Sequence, residues 1–474
     1  MINCIKITKM GVIPLDVSKN KFAVCSIMNL LVCVLLGLFC SLHSSFDPYM
    51  EIVLIVFLIG EAVAFYTYRY ECDIRICVSI VWLYSVGMTL QALIGYEKKL
   101  LLFSIVSVVM AALAVIVYTF FSKVDFKNDK TAYISFGVIS GVFLLFVLVL
   151  ALSDSTNGAH AWINLFGFSL QITEFFKPLF FIFHAVLFSS EVKYKWIWSA
   201  VCTLVMSLSL VLLNELGTLF VIILLWLCLS FLFFEKKRIT AYFAGGITLL
   251  GGLGWLIIKL ASDSVNKQAE LGESTSGIIL KLARIYNKLN DRISIWLSLD
   301  KADPYGIARQ AIKAREAMIK GGFWGTTETV NIPVEASDYA FIALLLRCGI
   351  IFAIFVLLMF GLLYAQGISC ALNKEKTFDK VALTGCSFSM LFPLIVNVVG
   401  TTNAMPMTGV AIPFISAGGT SLLLSFSLAF ILLWSSGRNP NLKGFLQKIN
   451  TLSNGGDPSR NKIKAFKRGE KNKR

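Results

Sequence analysis

Apolar residues arrive in long, nearly uninterrupted runs from Phe22 almost to Trp434. Twelve such segments fall near 22–42, 51–68, 76–96, 100–121, 132–153, 175–190, 196–213, 217–234, 240–260, 339–366, 381–400 and 411–434. Most have the roughly 18–25 residues that a helix needs to cross a bilayer core. A backbone surrounded by lipid must satisfy its hydrogen bonds within itself, and helices do that. The expected fold is therefore all-α: a polytopic helical membrane protein with about twelve transmembrane helices. Composition agrees, since 57% of the 474 residues are hydrophobic and only 15% charged. That excludes a soluble enzyme, a disordered chain and a disulfide scaffold.

Charge gives sidedness. Lys and Arg number 43 against 28 Asp and Glu, a net +15. With residues 1–21 inside, the short inner loops carry Arg69, Arg75, Lys123, Lys127, Lys130, Lys193, Lys195, Lys236, Lys237, Arg238, Lys374 and Lys376. The first outer loop carries Asp47 and Glu51 with no cation, and Lys98–Lys99 is the main exception. The positive-inside rule predicts both termini in the cytoplasm. The tail 436–474 holds eleven cations and two anions. It reads as a cytoplasmic tail beside anionic lipid rather than as a nucleic-acid-binding arm. Two long segments, 153–173 and 261–337, then lie outside. The start reads as an uncleaved anchor, because no small-residue cleavage site follows the first basic stretch.

The cysteines sit mostly inside apolar runs without metal spacing, and the three histidines form no zinc motif. Walker, G-x-S-x-G and H-E-x-x-H motifs are absent, and an ATP-driven machine is not expected. In 277–299 the apolar residues Ile278, Leu282, Ile285, Leu289, Ile293 and Trp296 recur at helical steps, with Lys281, Arg284, Lys288, Asp291 and Arg292 on other faces. This predicts an amphipathic interfacial helix whose cations either meet lipid phosphates or are solvated. A second helix is predicted over 304–320, with Arg309, Lys313, Arg315 and Lys320, stopped by Gly321–Gly322.

Ionisable groups at membrane depth are costly and mark function by default. Asp338 directly precedes an apolar run, where a carboxylate is either a helix N-cap or a general base tuned by desolvation. Glu174 and Lys177 share a helix face as a surface pair, or as a site in which Glu174 fixes a phosphate-holding Lys177. Glu215 reads as a short-loop cap. Glu61 has no partner evident in the sequence, and Arg347 needs a carboxylate or a wet cavity. Around Pro413, Ser416, Gly418 and Gly419 the pattern fits either a broken helix with free amides or close packing by small residues.

The stretch Pro406-x-Thr408-Gly409-x-x-x-Pro413-Phe414-x-Ser416-x-Gly418-Gly419-Thr420-Ser421 resembles the C-terminal motif of the SEDS family (FtsW, RodA and SpoVE). Further resemblances follow the family's order: Gly158-Ala-His-Ala161-Trp162-Ile163, Gln171-Ile172-Thr173-Glu174-x-x-Lys177, Asn214-Glu215-Leu216-Gly217-Thr218, Gly321-Gly322-Phe-Trp-Gly325 and Pro333-Val-Glu335-Ala-Ser337-Asp338. The resemblance implies a peptidoglycan glycosyltransferase that polymerises lipid II into a β-1,4 glycan outside the cytoplasmic membrane. Its core is about 76–435, with two extra N-terminal spans. It implies Asp338 as the catalytic base and a substrate site drawing on Trp162, Glu174, Lys177, Arg309, Lys313, Ser416, Gly418 and Gly419. Partners implied are lipid II, undecaprenyl-pyrophosphate-linked glycan, membrane lipids and a class B penicillin-binding protein. No nucleotide is required; a divalent cation, Mg or Mn, can assist a pyrophosphate, although no ligand cluster is visible. Departures from the pattern are Ala161 for Arg, Ile172 for Pro, Leu346-Arg347 for an acidic pair, and a glutamate moved to 335. Other expectations are a lipid-linked precursor transporter and an inactive scaffold for a penicillin-binding protein.

Overall fold

The computed structural model describes residues 21–43, 50–95, 97–151, 161–165, 168–234, 237–270, 277–299, 303 and 308–437. The basic tail, apart from its first two residues, and positions 153–160 and 166–167 of the 153–173 segment lie outside them. The fold is helical, with the chain order α1 (Lys21–His43), α2 (Met50–Arg69), α3 (Ile74–Ile94), α4 (Glu97–Lys123), α5 (Asp129–Ala151), β1 (Trp162–Leu165), β2 (Phe168–Gln171), α6 (Phe176–Ser189), α7 (Lys195–Leu212), α8 (Leu216–Phe233), α9 (Lys237–Glu270), α10 (Gly277–Leu297), α11 (Arg309–Gly321), α12 (Ala340–Leu372), α13 (Thr377–Thr401) and α14 (Gly419–Ser436).

Each apolar segment read from the sequence carries one helix. Among the described residues nine helices are long and apolar enough to cross a membrane, so the expected count of twelve is not reached on that basis. Two boundaries shift by eight residues or more, and one hairpin is added. The apolar stretch 411–418 is not helical, and the last helix starts at Gly419. Phe414 holds a left-handed backbone, and its amide bonds to Ser425 Oγ rather than to a helical carbonyl. Helix α9 runs to Glu270, ten residues past its apolar run. The β1–β2 hairpin pairs Trp162 with Gln171 in an otherwise all-α chain.

Burial sorts the helices into centre and periphery. Over its most apolar stretch α14 is 89% buried and α3 83%, whereas α5 is 17%. Helices α3, α13 and α14 therefore form the middle, and α5 and α7 face lipid. Helices α1 and α2 pack on α3. Glu61 of α2 accepts from Ser26 Oγ and from Asn29 Nδ2, the latter at 2.9 Å, so this carboxylate is used as interhelical glue. Tyr66 of α2 and Tyr70 just past its end pack against Trp434 of α14.

Helix α12 is broken. Gly349 takes φ 78°, ψ 172°, separating residues 340–348 from 350–372. The turn 322–326 fills the break. Thr326 N donates to Leu346 O (2.8 Å), and Ile350 N to Gly322 O (3.0 Å), so the amides and carbonyls freed at the kink find partners. A Cβ on Gly325 or Gly349 would collide with the facing backbone. Residues 350–372 extend about 34 Å, and 377–397 about 30 Å, at roughly 1.5 Å per residue. Asn397 nevertheless reaches the backbone of Asp338. The segment 340–348 must then run across the end of the bundle instead of continuing α12 upward. Asp338 is thereby placed near one boundary of the hydrocarbon core.

Candidate active site

Two irregular segments meet at that boundary, 333–338 ahead of α12 and 406–418 ahead of α14. Their polar backbone must be satisfied internally. Gln91 of α3, which is fully buried, donates through Nε2 to Ala336 O (2.9 Å) and Ile415 O (2.8 Å). Gly87 lies one turn earlier on the same face and leaves room for the carbonyl of Phe414. Asn397 of α13 donates to Asp338 O (2.8 Å) and Val410 O (2.6 Å). Ser416 Oγ donates to Ser337 O (2.7 Å) and accepts from Ile412 N (2.9 Å). Ala417 N donates to Ala336 O (2.7 Å). Val334 is held at φ 59°, a costly conformation for a β-branched residue, so the loop is over-determined by its surroundings.

Asp338 is therefore fixed by its backbone, and it caps nothing. The residue at the start of α12 is Tyr339, with no side-chain cap. The carboxylate stands at the wall of a cavity of about 490 Å³, whose lining includes Lys288, Asp291, Arg292, Arg309, Tyr339, Asn403 and Gly409. A Cβ on Gly409 would come 3.0 Å from Asp338 Oδ2, and Gly409 has φ 72°. Glycine is needed there for both reasons.

Helix α10 brings the cations. Lys288, Asp291, Arg292 and Ile295 follow a helical repeat and face the cavity together. Of the polar face read from the sequence as meeting lipid phosphates or solvent, Lys288, Asp291 and Arg292 line this cavity, whereas Arg284 is exposed. Burial raises the Asp338 carboxyl above the usual carboxylate range, against a bond from Ser337 and the positive charge of Arg292. Burial lowers Arg292 and Lys288 from their ordinary values; Asp338 opposes this at Arg292, and Glu215 opposes it at both. Burial likewise pushes Glu215 up to about 7; Lys288 opposes this, while Glu174 and Asp338 add to it. Glu215 stands at the start of α8 without making a side-chain cap, and accepts from Gln171 Nε2 at 3.4 Å.

The other residues singled out from sequence divide into three groups. Arg309 joins Asp338 at the cavity. Ser416 acts on the Asp338 loop from behind. The remaining six do not line the cavity. Glu174 and Lys177 form a buried pair at 2.5 Å, 6% and 5% exposed, so the surface-pair reading does not hold. Lys313 pairs with Glu316 at 2.7 Å. Gly418 precedes α14, and Gly419 packs against the ring of Phe103, the small-residue packing alternative. Trp162 sits in the hairpin, whose Gln171 N donates to Thr420 Oγ1 at 2.8 Å. Arg347 lies within electrostatic reach of Glu335, whose carboxyl burial raises and Arg347 lowers. The positions passed over in the sequence are Gln91 and Asn397, detectable only as lone amides inside apolar helices.

No group of three or more His, Cys, Asp or Glu side chains able to hold a metal comes together among the described residues. Asp338 and Asp291 share the cavity with Lys288, Arg292 and Arg309, so its lining carries more cations than carboxylates.

The chain matches the family of FtsW, RodA and SpoVE, described as cell cycle protein, over residues 68–439. It is 25% identical over 321 residues to peptidoglycan glycosyltransferase RodA of Mycobacterium tuberculosis (strain ATCC 25618 / H37Rv), covering 65% of either chain. The chain thus spans just under two thirds of the length of the mycobacterial relatives it matches. It is 25% identical over 350 residues to stage V sporulation protein E of Bacillus subtilis (strain 168), covering 71% of this chain and 86% of that one. Its fold is similar to a chain of a peptidoglycan synthase complex that coordinates polymerization and crosslinking. That match has a TM-score of 0.57 and 20% identity, over 77% of this chain and 97% of that one. It is also similar to the rod shape determining protein RodA of Thermus thermophilus, with a TM-score of 0.50 and 19% identity over 76% and 95%. Its apolar helices and the family match over residues 68–439 make the chain a multi-pass integral membrane protein, a member of the FtsW, RodA and SpoVE family of cell cycle proteins.

Proposed function

We propose that this chain is a peptidoglycan glycosyltransferase that polymerises lipid II at the outer face of the bacterial cytoplasmic membrane. The observation that carries the reading is the carboxylate of Asp338, anchored through its backbone and set at a cavity lined by Lys288, Arg292 and Arg309. Both family membership and the names of the relatives support it.

In the reaction the 4-hydroxyl of the acceptor GlcNAc attacks C1 of the donor's lipid-linked MurNAc. Asp338 takes the hydroxyl proton as the O4–C1 bond forms. The C1–oxygen bond to pyrophosphate breaks, and undecaprenyl pyrophosphate leaves with the electron pair. Attack opposite the leaving group turns the α-linked donor into a β-1,4 glycan. The donor is already activated, so the protein supplies position, one base and positive charge. Desolvation suits the base, because it raises the affinity of Asp338 for the proton. Arg292, Lys288 and Arg309 stand where the departing charge develops. Glu174 fixes Lys177 and keeps its charge buried. No step requires a divalent cation.

A class B penicillin-binding protein is the proposed partner, as the synthase complex with a similar fold couples polymerization to crosslinking. The test places the purified chain, alone and with such a synthase, in liposomes with labelled lipid II. Glycan strands are the expected product. Translocation of labelled lipid II without strand formation would identify a transporter instead. Strands that appear only from the partner, unchanged by Asp338→Ala, would identify a scaffold.

A further inference from the structure

Three large apolar side chains at the α11–α12 turn have no protein cover: Ile319, Phe323 and Trp324 are 73%, 70% and 82% exposed. None belongs to a membrane-crossing helix. In water this cluster would be a liability. The nearby cations do not make it a phosphate site, because Lys313 and Lys320 are paired with Glu316, and Lys320 also with Glu328.

Its depth identifies what covers it. The turn is hydrogen-bonded into the break in α12, with Ile350 N on Gly322 O at 3.0 Å and Ile351 N on Phe323 O at 3.4 Å. Residues 350–372 measure about 34 Å from the opposite end of the helix at roughly 1.5 Å per residue. A hydrocarbon core is about 30 Å thick, so the turn falls at its edge. Residues 340–346 are buried throughout, whereas Ile350, Ile351, Ile354, Phe355 and Leu358 form an exposed apolar stripe on the spanning part. Through these two bonds the exposed cluster continues that lipid-facing stripe. Trp and other aromatic side chains favour this boundary, where an amphipathic ring sits among the headgroups.

We infer that Ile319, Phe323 and Trp324 form an interfacial anchor, inserted among the lipid acyl chains on the side of the membrane that holds the Asp338 cavity. The occupant is the bilayer itself. Because the same turn braces the kink at Gly349, the anchor holds the transverse segment 340–348, and with it Asp338, at a set height above the acyl chains. The inference is independent of the reaction catalysed, requiring only that α12 crosses the membrane.

The experiment uses the full chain in phosphatidylglycerol and phosphatidylcholine liposomes. The emission of Trp324 is isolated as the difference between wild type and Trp324→Phe, a conservative change at an exposed site. Lipids brominated high on the acyl chain should quench that emission, and aqueous iodide should leave it. Emission quenched by iodide and untouched by brominated lipid would overturn the inference. Emission shielded from iodide only after a single-pass partner is added would also overturn it, assigning the cluster to protein docking. Phe323→Asp supplies a second readout: it should move the Trp324 emission to longer wavelength in liposomes, and an unchanged spectrum would count against insertion.

Discussion

Asn397 Nδ2 bridges two carbonyl oxygens, those of Asp338 at 2.8 Å and Val410 at 2.6 Å. One amide on α13 thus ties the segment bearing the carboxylate to the segment bearing Gly409. Both acceptors need a donor, which fixes the orientation of the amide. Asn397→Asp puts a carboxylate oxygen against both carbonyls. It should lower the rate of glycan formation and cost about 1–3 kcal/mol of stability. Polymerisation assays alongside thermal unfolding in detergent check both. A normal rate from a folded Asn397→Asp protein would remove this clamp from the account.

Gly409→Ala tests the space beside the carboxylate. The new methyl faces Asp338 Oδ2 at 3.0 Å, and φ 72° penalises any L side chain by about 1–2 kcal/mol. Activity should fall well beyond the loss of stability. Gly361→Ala is the matched control, since a Cβ there meets nothing within 4 Å. It should leave activity unchanged and, being inside a helix, leave stability equal or up to about 1 kcal/mol higher.

The pH profile follows from the direction of the Asp338 shift. A general base must be deprotonated, so the rate falls as pH drops through its pKa. Burial has raised that value, and the acid limb should lie above the ordinary carboxylate range. Arg292 opposes the rise. Arg292→Gln should therefore move the acid limb to still higher pH, as well as slowing departure of the pyrophosphate. A limb that stays in place would show that Arg292 does not sense the base.

Glu215 makes a prediction about stability alone. Its pKa rises from 4.5 to about 7 on folding, mainly through burial. Across that window the folded state binds more protons than the unfolded one, so this group's contribution falls as pH rises through it. Glu215→Gln should stabilise the protein on the alkaline side of the window relative to the acid side, as read from thermal unfolding across pH. An equal effect throughout would contradict the assignment.

The buried pair gives the fifth prediction. Lys177→Met strands Glu174 without its countercharge and should cost about 3–5 kcal/mol. Adding Glu174→Gln should recover much of that. If Lys177 also contacts pyrophosphate, the recovered double variant still shows weakened use of lipid II. Full activity in the double variant would make the pair structural only.

How much of this could be read from the chain depended on how local the signal was. Hydrophobic length announces a helix wherever it occurs, and α10 was legible from the spacing of Ile278 to Trp296. The Glu174–Lys177 pair was legible because three residues along a helix are neighbours in space. Asp338 was legible as an acid at the head of an apolar run. Its surroundings were not, because Gln91 lies 245 residues from Ala336 and Asn397 lies 59 from Asp338. The break at Gly349 was hidden inside an apolar run, since its cause is a turn reaching in from 322–326. The stretch 411–418 looked like the start of a span because composition does not reveal where backbone bonds go; here several go to Gln91, Ser416 and Ser425. Arg347, read as a charge that needs a carboxylate or a wet cavity, has Glu335 within electrostatic reach.

The central claim is that one carboxylate removes the acceptor's proton. The direct measurement is the rate of lipid II polymerisation by the reconstituted chain with its partner synthase, comparing wild type, Asp338→Asn and Asp338→Glu. Asparagine keeps the backbone bond from Asn397 and the shape, but cannot take a proton. The account predicts no glycan from the asparagine variant and reduced but measurable glycan from the glutamate one. Strands formed by Asp338→Asn at the wild-type rate would contradict it.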